Sequence, residues 1–163
     1  MATIKRLDAT LTGSDVKEFT YRIIHTPGYL PDCLCDVKSV TDIFIRMVNT
    51  APDIVGVYDG AGKLGGVFFL GDIVPGHEAT LFSWFWGKCF TPDTAREIKE
   101  YIDENAGVLG LARVEARTAD DKKHGKLLEL LGLKLEGRFK NAYKSGGKCR
   151  ALFQYRKLYP KFE

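Results

Sequence analysis

Apolar and polar positions along this chain switch between two periods, and the switches mark out an alternation of strands and helices. Ala2 to Asp8 carries the short alternating pattern of a strand. Thr10 to Ser14 is a turn with N-cap character. Val16, Phe19, Ile23 and Ile24 then fall near helical spacing over Asp15 to His25. Pro27, Gly28 and Pro31 punctuate a loop over Thr26 to Asp36. A second helix is predicted over Val37 to Asn49, with Val40, Ile43, Phe44 and Val48 as its apolar stripe.

The period then shortens. Ile54 to Tyr58 and Lys63 to Ile73 read as strands joined by the turn Asp59-Gly60-Ala61-Gly62, and Pro75-Gly76 ends the second. Glu78 to Trp86 is nearly all apolar, as expected of a central strand buried on both faces. Thr91-Pro92-Asp93 supplies an N-cap, a proline at the first helical position and an acid in the first turn. That predicts a helix to about Asn105, closed at Gly107. Ala112 to Thr118 is another strand. Asp120 or Asp121 caps a helix through Leu131, closed by Gly132. Lys134 to Tyr143 and Lys148 to Leu158 form a hairpin around Ser145-Gly146-Gly147.

The order is β-α-α-β-β-β-α-β-α-β-β. It predicts an α/β (α+β) fold: a mixed, mostly antiparallel sheet with one parallel pair and helices on both faces. No repeat or long linker interrupts the pattern, so residues 1–163 read as a single domain.

Composition excludes several classes. No run approaches the roughly 20 apolar residues of a membrane helix, and no apolar segment follows Met1 to Lys5, so a cytoplasmic location without membrane contact is expected. Cys33 and Cys35 are spaced as C-L-C, Cys89 and Cys149 stand apart, and His25, His77 and His124 are scattered. These spacings match neither a zinc site nor a redox motif, so no metal is expected and the cysteines read as reduced, mostly buried thiols. Residues 122–163 hold twelve Lys/Arg against three acids, a net of +9, leaving −6 for the rest of a chain whose total is +3. Such a basic quarter could meet phosphate. The plainer reading is a solvated strand face, and no nucleic-acid-binding motif accompanies it.

Residues 111–158 carry a sharper signal. Arg113-Val114-Glu115-Ala116, Asp121-x-x-His124, Leu131-Gly132-Leu133, Glu136-Gly137 and the hairpin from Asn141 to Lys148 follow one another in register. This series resembles the C-terminal half of the ribosomal-protein alanine N-acetyltransferase branch of the GNAT superfamily, the acyl-CoA N-acyltransferases. The matched element order agrees over the rest of the chain.

The resemblance implies acetyl transfer from acetyl-CoA to an amine, either a small molecule or a protein N-terminus. It also implies that two parallel strands, 81–89 and 112–118 here, lie side by side and splay apart to admit the donor. The family's diphosphate-binding motif, roughly Arg/Gln-Gly-x-Gly-hydrophobic-Ala/Gly, falls on Trp86, Gly87, Lys88, Cys89, Phe90 and Thr91. With Phe85 and Asp121 these are the expected cofactor-binding residues. Only Gly87 matches outright; Trp86, Cys89 and Thr91 depart from the motif, Pro92 offers no N–H, and Asp93 adds a like charge.

For the chemistry, a tyrosine common on the helix after the splayed strand is Leu128 here. His124 could act as acid or base, or be a solvent-exposed histidine in a Lys-rich first turn. Glu115 could be a general base, or an ion-pair partner of Arg113 and Arg117 on the same strand face. Tyr143 and Asp72 are weaker candidates. Trp84, Phe85 and Trp86 could line the cleft or pack the core. The departures also fit a second reading, a non-catalytic GNAT-fold structural or interaction protein of the kind found in short-tailed phages. A homodimer through the C-terminal sheet edge is compatible with either.

Overall fold

The structure, a computed structural model, describes residues 1–9, 13–120 and 122–160. The elements are β1 (Thr3–Arg6), α1 (Ser14–His25), α2 (Val37–Thr50), β2 (Val55–Tyr58), β3 (Leu64–Val74), β4 (Glu78–Phe85), α3 (Pro92–Leu109), β5 (Arg113–Thr118), α4 (His124–Leu130), β6 (Lys134–Ser145) and β7 (Lys148–Leu158). A single 3-10 turn, Asp32–Leu34, lies between α1 and α2. Among the described residues no helix is long and apolar enough to cross a membrane.

Seven strands form one sheet in the order β1-β2-β3-β4-β5-β7-β6. Every pairing is antiparallel except β4 with β5. That parallel ladder joins Glu78 to Arg113, Ala79 to Val114 and Thr80 to Glu115, and stops there. Beyond Thr80 the strands part, as the expected splay requires. Alternate β-strand side chains point to opposite faces, and each face has a core. On one side Leu81, Val114 and Tyr155 pack under Ile98 and Ile102 of α3 and Leu128 of α4. On the other, Val67 and Phe69 meet Phe19 of α1 and Phe44 of α2.

Several boundaries move. The α2 stripe is Val40, Phe44 and Met47, at i, i+4 and i+7, and Val48 turns outward at 41% exposure. Helix α3 runs past Gly107 to Leu109, because the residue that takes the left-handed cap is Gly110 (φ 63°). The Leu111 N–H returning to the Ala106 carbonyl at 2.9 Å then closes it. Asp120 does not cap α4 directly. Its carboxylate accepts the N–H groups of Lys122 (3.1 Å) and Lys123 (3.0 Å), forming a turn that delivers His124 as the first helical residue. Asp121 lies outside the described residues, as do Thr10–Thr12 of the expected first turn. Of the four thiols only Cys89 is buried; Cys33 and Cys149 are exposed. The cations Lys134, Arg138, Lys140, Lys144 and Lys148 lie exposed along β6 and the start of β7.

Candidate functional site

Past Thr80, the backbone of β4 has lost its neighbour on one side, and its polar groups must find other partners. The N–H and C=O of a strand residue point the same way and alternate along the chain. The Trp86 N–H donates to Gly65 O of β3 at 2.9 Å. The Phe85 carbonyl therefore faces the other way, into the gap, where the Tyr29 hydroxyl donates to it at 2.7 Å. By the same alternation the N–H groups of Phe85 and Ser83 face the gap. Burial pushes the Tyr29 phenol up to about 12, so this donor keeps its proton.

The gap opens into a cleft of about 530 Å³. Ser83, Trp84, Phe85, Gly87 and Phe90 form one wall; Arg117, Thr118, Asp120, Lys123, His124 and Leu127 form the opposite one. The α1–α2 loop contributes Thr26 to Tyr29, and the β6–β7 hairpin closes the end with Tyr143, Arg150 and Leu152. Loop and hairpin are tied together. The Ser145 hydroxyl accepts the Gly28 N–H (2.8 Å) and donates to Leu30 O (2.6 Å). The Tyr143 hydroxyl donates to Gly28 O at 2.7 Å. Asp32 accepts the N–H groups of Gly146 and Gly147 at 2.7 and 3.1 Å.

His124 is not the solvent-exposed histidine of a Lys-rich turn. Its ring is drawn inward, 5.8 Å from the Phe85 ring, and its Nε2 lies 2.9 Å from Ser83 Oγ across the splay. Burial outweighs the attraction of Asp120 and pushes its pKa down to about 4, so the imidazole is neutral near pH 7. A neutral imidazole bonded to a hydroxyl in a cleft can accept a proton.

The other expected residues divide. Phe85 and Phe90 line the cleft, their rings 5.1 Å apart. Trp86 does not: it packs near Phe19, and its indole N–H donates to Leu64 O at 3.2 Å. Lys88 is exposed and outside the cleft lining. Cys89 turns inward under Gly65, with Sγ 3.9 Å from Val57 O. Gly87 borders the cleft, yet its lack of a side chain has a structural cause. A Cβ there would meet the Gly65 Cα at 2.7 Å, so β3 and the exit of β4 could not approach. Thr91 is a helix cap whose hydroxyl accepts the Thr94 N–H at 3.2 Å.

Glu115 stands outside the cleft. It pairs with Arg113, which also holds Glu78 at 3.0 Å, and accepts a 3.4 Å bond from Gln154. Asp72 is exposed at the β3–β4 bulge. Sequence reasoning missed Ser83, Tyr29 and Arg150. Ser83 is the one hydroxyl in the run Leu81-Phe82-Ser83-Trp84-Phe85, a polar interruption in an otherwise apolar strand. Tyr29 and Arg150 reach the site only through long-range pairing, for which the sequence carries no local signal.

No protein-family model and no curated protein matches this sequence. Solved structures match its fold. The ribosomal-protein-S5-alanine acetyltransferase from Vibrio fischeri superposes with a TM-score of 0.73 at 18% identity, over 99% of this chain and 95% of that one. The chain has the GNAT fold. Spermidine N-acetyltransferase from Vibrio cholerae, solved with CoA and spermine, gives 0.71 at 17% identity, covering 98% and 96%. A candidate acetyltransferase from Salmonella typhimurium, solved with its cofactor acetyl-CoA, gives 0.74 at 12%, covering 100% and 96%.

Within the GNAT fold of this chain, the splay cleft and the start of α3 differ in character. The cleft holds the Ser83–His124 pair beyond the point where β4 parts from β5. The start of α3 does not suit a diphosphate. Thr91 already occupies the Thr94 N–H, Pro92 has none, and the Asp93 carboxylate, paired with Arg96 at 3.2 Å, is 70% exposed.

Proposed function

We propose that this chain is an acyl transferase that moves an acetyl group from a thioester to an amine in the cleft where β4 and β5 part. The GNAT fold suggests acetyl-CoA as the donor. The observation that carries this reading is the neutral His124 bonded to Ser83 beside strand N–H groups released by the splay.

Attack of an amine on an acyl carbonyl needs a proton acceptor and donors for the oxyanion. His124 Nε2 is the acceptor, directly or through Ser83. The N–H groups of Ser83 and Phe85 face the position of the oxyanion, and Tyr29 fixes that backbone by holding the Phe85 carbonyl. Glu115 takes no part; it pairs with Arg113 on its own strand and accepts a hydrogen bond from Gln154 of β7. Arg117, Lys123 and Arg150 border the cleft with Asp120 as their one acidic counterpart among the described residues. That balance disfavours a polycation such as the spermine bound by the Vibrio cholerae enzyme. It favours a neutral amine, or one carrying an anionic group, including a protein N-terminus.

The test is release of free thiol from acetyl-CoA in the presence of a panel of amines. His124→Gln should lower the rate by about 10²–10⁴-fold, the range for a lost general base. An unchanged rate in that variant would remove His124 from the mechanism.

The self-capped start of α3 favours a second reading, a non-catalytic GNAT-fold structural or interaction protein of the phage kind. Under it, no amine produces thiol above the background rate.

A further inference from the structure

The arginines of this chain divide by what they hold. Arg22 pairs with Glu18, Arg96 with Asp93, Arg156 with Glu136, and Arg113 with both Glu78 and Glu115. Arg150 differs: among the described residues no ion pair joins it to an acid. Its side chain is nevertheless fixed. The Nε–H donates to Ser145 O at 2.8 Å, and Ser145 is itself buried and bonded to Gly28 and Leu30. That leaves the N–H groups of Nη1 and Nη2 unspent among the described residues. They sit between the α1–α2 loop and the β6–β7 hairpin, in room that two glycines leave open. A Cβ on Gly28 would lie 3.7 Å from Nη1, and one on Gly146 would lie 3.3 Å from Nη2. Arg150 is half-buried and lines the same cleft as Ser83 and His124. A planar fork of N–H donors, held in place, matches the two oxygens of a carboxylate.

We infer that Arg150 selects the acceptor by holding its carboxylate, so that the acceptor is a free amino acid; this rests on acetyl transfer to an amine being the function of the cleft. The amine of such a molecule meets the Ser83–His124 pair, and its carboxylate meets the fork of Arg150 where the hairpin closes the cleft. Arg117, exposed on the wall opposite Ser83, adds charge of the same sign and likewise has no ion pair among the described residues. The carboxylate is held and not consumed: it fixes the amine against His124, which is how a positioning contact made away from the reacting atoms aids transfer. A protein N-terminus lacks this group, since its own carboxyl is spent in the first peptide bond. A polyamine lacks it outright and brings a second cation toward Arg150.

Two measurements test this. In the first, glycine, β-alanine and γ-aminobutyrate, which differ in the spacing of amine and carboxylate, and alanine and phenylalanine, which differ in bulk, are each compared with their amides as acceptors from acetyl-CoA, read as free thiol. The best amino acid should have a KM at least about tenfold below that of its amide, with kcat moved less. Arg150→Gln should shrink that preference to about twofold or less, and Arg150→Lys, which keeps the charge and loses the fork, should leave it in between. In the second, the side-chain N–H signals of Arg150 are followed by nuclear magnetic resonance in the wild-type protein without donor. The amino acid should shift them saturably and its amide should not. Equal KM for acid and amide, or a preference that survives Arg150→Gln, overturns the proposal. So does a side-chain signal that answers to a nucleoside bisphosphate and to no amino acid, which would give Arg150 to the nucleotide of the donor. If no amine yields thiol, the transfer reading fails by itself. The second measurement then still decides: a shift with amino acids alone supports Arg150 as a carboxylate site, and no shift overturns it.

Discussion

His124 carries two consequences that can be separated. As a proton acceptor it serves chemistry; as a half-buried neutral base it makes folding depend on pH. Its ordinary pKa of 6.5 falls to about 4 in the fold because burial disfavours the cation. The unfolded chain therefore binds a proton that the folded chain refuses between those values. Stability from this group is complete above pH 6.5 and drains away as pH falls toward 4, by up to about 3 kcal/mol. Urea unfolding at pH 7 and pH 4.5 should show wild type losing more stability than His124→Gln over that interval; equal losses would mean the ring is hydrated. At the residue scale the sequence was only half legible. His124 was identifiable as a titratable side chain in a family position, yet its burial was not, because Phe85 and Ser83 approach it from a distant strand. Gly87 matched a phosphate motif, while its structural cause lies in Gly65, which no local pattern connects to it.

Elements were read more faithfully than residues, because caps and periodicity are local. Thr91-Pro92-Asp93 started α3 as expected, and Gly132, at φ 90°, closed the turn after α4. The errors fell where two local signals competed. Gly107 was expected to end α3, but Gly110 is the glycine that takes the left-handed conformation and closes it. Asp120 offered a cap and made a turn instead. Helix α4 is short and depends on close packing, since Gly125 sits under the buried Tyr155 ring. A Cβ there would lie 2.2 Å from the phenol oxygen. Gly125→Ala should destabilise the fold by about 1–3 kcal/mol through overpacking, read as a lower urea midpoint. It should also displace His124 one residue away and slow transfer. A variant as stable as wild type would show that Tyr155 moves aside at little cost.

Across the whole molecule, the parallel pair followed from the element order, since a strand–helix–strand unit predicts one, and the splay from the family resemblance. What did not follow was the closure of the cleft by the α1–α2 loop and the β6–β7 hairpin, whose contacts join residues more than a hundred positions apart. Ser145 is the pivot: it is 1% exposed and serves both Gly28 and Leu30. Ser145→Ala leaves the half-buried Gly28 N–H and Leu30 carbonyl without this partner, so a loss of about 0.5–1.5 kcal/mol is expected. Faster amide exchange in residues 26–35 should accompany it. Exchange unchanged there would mean that the loop is held by Asp32 and Tyr143 alone.

If the splay cleft accepts an acyl thioester while the start of α3 contributes little to holding a diphosphate, the nucleotide half of acetyl-CoA adds little affinity. Calorimetric titration of acetyl-CoA and of S-acetyl-pantetheine, which lacks the nucleotide, tests both halves at once. The account predicts saturable one-to-one binding of both ligands, with dissociation constants within about tenfold, or about 1.4 kcal/mol, of each other. It also predicts that Ser83→Leu, which fills the gap, abolishes binding of both. Absence of heat from either ligand at about 1 mM, where binding would be worth no more than about 4 kcal/mol, would contradict the account and leave the GNAT fold of this chain without its chemistry.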